Sequence, residues 1–169
     1  MIISDVYRYK NSRLYVGKMY SELSGQYIDA VLHGNSEEFL QYADKCAEYF
    51  NHLPGELLSF LRECSLRYCE DMRISFSTAS PEVPENVTQN TILHYARVNS
   101  IIIEPPKDFN AIGFSVEFSC DWEPEHGMEW TIRDGRALYV GDFMGISPWY
   151  ADSVYETQCR SYVYDDFSL

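Results

Sequence analysis

The spacing of apolar residues changes once along this chain, and that change limits what the chain can fold into. Phe39, Ala43, Cys46 and Phe50 recur at intervals of four, three and four, and Leu57, Leu61, Cys64 and Tyr68 carry the helical period on to Met72. Residues so spaced share one face of an α-helix. From residue 92 onward the period is two. Phe114, Val116 and Phe118 alternate with Ser115, Glu117 and Ser119, as in a strand with one buried face. Helices before strands predict an α+β fold. The expected arrangement is an antiparallel sheet built largely from the C-terminal half, packed against a helix pair from the N-terminal half.

Boundaries follow from local chemistry. Asn35 is expected to open the first helix, with Glu38 in the capping-box position three residues on. Pro54 suits the first position of the second, where its missing N–H costs nothing. The pair then covers about residues 35–72. Ahead of it, residues 14–23 and 26–34 read as two strands joined at Gly25. Residues 77–91, with two prolines and many small polar side chains, predict a mobile surface loop. Strands are expected over about 92–142, the first of them running from Ile92 to Ile103. In the run EWTIR-DG-RALYV, Asp134-Gly135 marks a two-residue hairpin. That register sets Trp130 opposite Tyr139, Ile132 opposite Ala137 and Arg133 opposite Arg136. The tail from Ser147 is expected to be irregular, or to end in one short strand over Tyr162–Asp166. At 169 residues and 46% hydrophobic, the whole of 1–169 reads as a single domain.

One stretch concentrates chemistry: CDWEPEHGMEW, residues 120–130. Asp121, Glu123 and Glu125 alternate like the first ligands of a calcium loop. Such a loop needs Gly at its sixth position and Glu at its twelfth, which here are His126 and Ile132. Cys120, His126 and Glu129 are the candidate zinc ligands, but a structural zinc site wants four Cys or His ligands in close pairs, and only one Cys and one His lie here. Asp121, Glu125 and His126 could centre a metal-assisted hydrolase, yet no nucleophile motif and no glycine-rich phosphate loop accompanies them. The reading adopted is structural. Cys120 continues the inward face of its strand, Trp122 and Trp130 cover the core, and His126 and Gly127 shape a bend. Asp121, Glu123, Glu125 and Glu129 are then expected to point outward. No catalytic residue, metal or cofactor is assigned.

Cys120-Asp121-Trp122-Glu123, then Glu125-His126-Gly127-Met128, the Asp134-Gly135 turn and Tyr139-Val140-Gly141 resemble an uncharacterised bacterial domain family. Its members carry a C-D-W-E-x-E-H-G signature, a short strand, a D-G turn and a V-G ending. The resemblance spans about residues 112–150, including Ser147-Pro148-Trp149. Some members look like immunity proteins encoded beside polymorphic toxins. The resemblance therefore implies a small acidic bacterial protein, and it transfers no catalytic residues.

Charge separates the remaining functions. The net charge is −13, and residues 111–169 hold 11 acidic and three basic side chains. A phosphate backbone requires the opposite balance, so nucleic acid is not an expected partner. No apolar run is long enough for a membrane span, and the N-terminus lacks an apolar signal core, so a cytoplasmic protein is expected. Five dispersed cysteines without ligand spacing read as free thiols. Concentrated acidity attracts basic proteins. The function expected is an acidic binding protein, an immunity protein that occludes a basic toxin through Asp121, Glu123, Glu125 and Glu129. The alternatives are the hydrolase above and a housekeeping small-ligand-binding protein.

Overall fold

A computed structural model describes residues 1–75 and 83–164. Seven strands lie side by side in chain order: β1 Ser4–Arg8, β2 Tyr15–Ser21, β3 Gln26–Leu32, β4 Ala96–Ile103, β5 Gly113–Cys120, β6 Glu123–Arg133 and β7 Arg136–Gly141. Every neighbouring pair is antiparallel except β3 with β4. The connection between these two holds α1 Glu37–Asn51 and α2 Gly55–Ser75. A parallel return needs such a long crossover. The fold is α+β, as the change of period requires. Three of the seven strands come from the first 32 residues, however, so the sheet is less C-terminal than expected. β1 gave no sequence signal: it is short and mostly exposed, and a register shift and positive φ at Asp5 break its alternation.

The helical stripes are buried where their spacing puts them. Phe39, Ala43, Cys46 and Phe50 of α1 and Leu57, Leu61, Cys64 and Tyr68 of α2 join one apolar cluster with Met19, Ile28, Ile101, Phe114 and Trp130. Phe50 meets Phe114 edge-on with ring centroids 6.1 Å apart. Trp130 Nε1 donates to Ser65 Oγ of α2 at 3.0 Å. The helix starts differ from expectation. Ser36, not Asn35, caps α1, its hydroxyl accepting from Phe39 N–H. Phe39 thus takes the position from which a capping-box carboxylate would reach back, and Glu38 misses it by one residue. Pro54 stands just before α2, its carbonyl accepting from Leu58 N–H.

Three further expectations change. Residues 92–95 form a short 3-10 helix and not the start of a strand. Asp134 (φ 49°) and Gly135 (φ 75°) do close the hairpin, and Arg133 faces Arg136 as expected. Yet Ile132 pairs with Ala137 while Thr131 pairs with Tyr139, so Leu138 is an extra residue on β7. One inserted residue reverses the faces beyond it. Trp130 therefore faces Val140 in the main core, and Tyr139 turns to the other side of the sheet. There it forms a second cluster with Leu138, Ile146 and Tyr155, the last from an unforeseen helix α3, Asp152–Thr157. Tyr162 and Val163 form a turn and not a strand, and Asp165 and Asp166 lie outside the described residues. So do residues 77–82 of the expected loop, while Val83 and Val87 are buried. Among the described residues, no helix is long and apolar enough to cross a membrane.

Replacing Gly135 by Val forces a β-branched residue into positive φ. The expected loss is about 1–3 kcal/mol in urea unfolding, with the far-UV spectrum of the folded state unchanged.

Candidate functional site

The stretch 120–130 closes the β5–β6 hairpin. Cys120 pairs with Glu123 across Asp121-Trp122, and Phe118 pairs with Met128. One residue on β5 thus faces four on β6, and Pro124–Gly127 bulge from the ladder. Gly127 permits this excursion. Its φ is +70°, and a Cβ there would stand 2.1 Å from the Phe118 carbonyl oxygen. The Gly127 carbonyl in turn accepts from Tyr68 Oη at 3.2 Å, tying the bulge to α2.

Glu123 holds the bulge closed. Its carboxylate accepts from His126 N–H at 2.7 Å and lies 3.0 Å from His126 Nδ1. Glu123 is buried, so it anchors the bend where the sequence suggested an outward acid. The bend around His126 is real, but the side chain of Glu123 spans it. Only Pro124, Glu125 and His126 are exposed at its tip. Asp121 is half-buried and pairs with Arg97 at 3.1 Å. Cys120 and Trp122 are buried as expected, Trp122 edge-on to Tyr68. Burial pushes the Cys120 thiol up to about 12 and the Cys69 thiol up to about 11. Such thiols stay protonated at neutral pH and make poor nucleophiles or ligands.

Among the described residues, one group of ligand atoms converges: Glu123, Glu125 and His126, all within 4.8 Å of one another. It differs from the trio suggested by sequence, because Asp121 is turned to Arg97 and Glu123 replaces it. A divalent cation bound through His126 Nδ1 would displace the contact between that nitrogen and Glu123.

Glu129 is the largest departure. Expected outward, it is fully buried. Its Oε2 accepts from the backbone N–H groups of Met144 (2.9 Å) and Gly145 (2.8 Å), and its Oε1 from that of Ile146 (2.9 Å). Thr131 Oγ1 adds a fourth donor at 3.3 Å. Alternation does place Glu129 on the face away from Trp130. What alternation cannot reveal is that residues 143–147 fold back over that face. The positive φ of Gly145 and the Ser115 hydroxyl, which donates to the Ile146 carbonyl at 2.9 Å, fix the return. Arg97 also went unnoticed in the sequence, where an isolated arginine in a strand carries no signal.

Burial pushes the Glu129 carboxyl above the usual carboxylate range, against the pull of its backbone donors. The native state therefore keeps this proton to higher pH than the unfolded chain. The group's contribution to stability falls as pH rises from the ordinary carboxyl range through its raised native value. Glu129→Gln should remove that slope. It should also cost roughly 1–3 kcal/mol at neutral pH, because an amide NH2 would face N–H donors. Urea unfolding against pH checks both, and hydrogen exchange at residues 144–146 should quicken. Gly127→Ala should be as costly or worse, since backbone itself blocks the new Cβ.

No curated protein and no solved structure matches the chain. A family model described as a domain of unknown function, DUF6985, matches residues 6–147. That span runs from within β1 to Ser147, taking in α1, α2 and the loop that covers Glu129. The chain belongs to the DUF6985 family.

Proposed function

We propose that this chain is an acidic binding protein: a single-domain, cytoplasmic bacterial immunity protein that occludes a basic cognate toxin. One observation carries the reading. Every basic side chain of residues 111–169 is tied to an aspartate within the fold. Arg133 and Arg136 both pair with Asp152, and Arg160 pairs with Asp71 at 2.6 Å. Glu125 and Glu156, by contrast, are exposed. Asp134, at the β6–β7 turn, is exposed as well, and acidic charge left at the surface speeds encounter with a positive partner.

The contact set proposed from geometry is narrower than the one proposed from sequence. Glu123 and Glu129 are buried acceptors, and Asp121 shares its charge with Arg97. Glu125 remains, at the tip of the bulge, and Glu156 of α3 joins it.

The test is association kinetics with the basic product of the neighbouring gene. Glu125→Lys with Glu156→Lys should slow association by about tenfold at low salt and flatten its salt dependence. Raising salt should slow the unaltered protein too, because the Debye length shrinks to about 8 Å at physiological ionic strength. Both positions are exposed, so the melting temperature should hold. Equal rates and equal salt slopes for the two proteins would refute the reading.

A further inference from the structure

The sheet is open at one place. β3 and β4 run parallel, but their pairing begins only at Asp29 and Ser100. Before that point Gln26–Ile28 pair only with β2, and Ala96–Val98 only with β5. The two strands diverge there, and the register shift between Val98 and Ser100 marks the fork. Their facing edges leave backbone groups outside the ladder, and such groups seek partners.

A cavity of about 320 Å³ fills the fork. Leu23, Ser24 and Gln26 line one arm, and Leu93, His94 and Arg97 the other. Val98 and Phe118, both buried, close its base, and the half-buried Leu23 and Leu93 are its accessible apolar side chains. The Ser24 hydroxyl is enclosed without a partner among the described residues, an arrangement that costs free energy until an oxygen or nitrogen reaches it. The Arg97 side chain is 59% exposed, and Asp121 takes its Nη1. A guanidinium carries five N–H donors in a planar fork suited to a carboxylate. A concavity that brings a few polar groups together beside apolar side chains is a usual form of small-ligand site.

We infer that the fork between β3 and β4 binds a carboxylate joined to a small apolar group, the anion on Arg97 and the apolar part on Leu23 and Leu93 at the mouth of the cavity. This site is separate from the acidic surface above and does not depend on it. Two sources share that chemistry: a free acid, and the C-terminus of a peptide whose backbone would also engage the open strand edges.

Titrations of the full chain, followed by methyl NMR, test the inference with three probes: 3-phenylpropionate, 3-phenylpropanol, and acetyl-Ala-Ala-Phe with a free carboxylate. The acid should shift the Leu23, Leu93 and Val98 methyl signals saturably, and the alcohol should bind at least about tenfold more weakly. Arg97→Gln should abolish that difference. Gln26→Trp, a change at an exposed position on the rim, should block both probes while leaving the fold intact. Tighter binding of the tripeptide than of 3-phenylpropionate assigns the site to peptide C-termini, and the reverse order to free acids. Equal affinity for acid and alcohol, a preference that survives Arg97→Gln, shifts confined to other regions, or no saturable binding of any probe would overturn the proposal.

Discussion

A single buried carboxylate divides the outer face of the sheet. Glu129 sits at the middle of β6 and accepts from three successive backbone N–H groups, Met144 to Ile146. A buried carboxylate is costly unless its oxygens are satisfied, and a loop lying over a sheet is costly unless its N–H groups are. Each requirement meets the other here. Residues 143–147 consequently lie over β5 and β6, Ile146 joins Tyr139 and Tyr155, and the chain beyond is placed to form α3. The same outer face remains open at β2 and β3, where Tyr20 and Tyr27 stand exposed edge to face.

The residues around His126 show how an apparent site can be mostly architecture. A hairpin end that bulges by four residues needs a glycine where the backbone crosses a carbonyl, and Gly127 provides it. It also needs an acceptor for the His126 N–H turned out of the ladder, which Glu123 supplies. Once these demands are met, one carboxylate and one imidazole are left at the surface. Recognition by charge asks for little more, since steering depends on the summed field and not on a fixed constellation.

The parallel junction has the opposite character. Five of the six strand connections join antiparallel neighbours, but the α1–α2 crossover returns the chain alongside β3 in the same direction. Two strands entering from separate connections need not meet at their first residues. β3 is held from Gln26 by its turn with β2, and β4 from Ala96 by β5. The fork is thus a product of connectivity, and it leaves a cavity lined by Ser24, Gln26, His94 and Arg97 over the buried Val98 and Phe118.

What the sequence determined alone is local or periodic. The stripe Phe39–Phe50, the alternation of β5 and the positive φ at Asp134-Gly135 each follow from side chains within a few residues of one another. The burial of Cys120, Trp122 and Trp130 was legible for the same reason. Tertiary structure decided whatever hangs on distant chain. It decided the face of Tyr139, because one extra residue on β7 shifts the register. It decided the burial of Glu129, because partners 15 to 17 positions away cover it. It decided the pairing of Asp121 with Arg97, 24 positions apart, and the fork between β3 and β4. Alternation states which side of a sheet a residue occupies. Whether that side meets water is settled by the segments that fold across it.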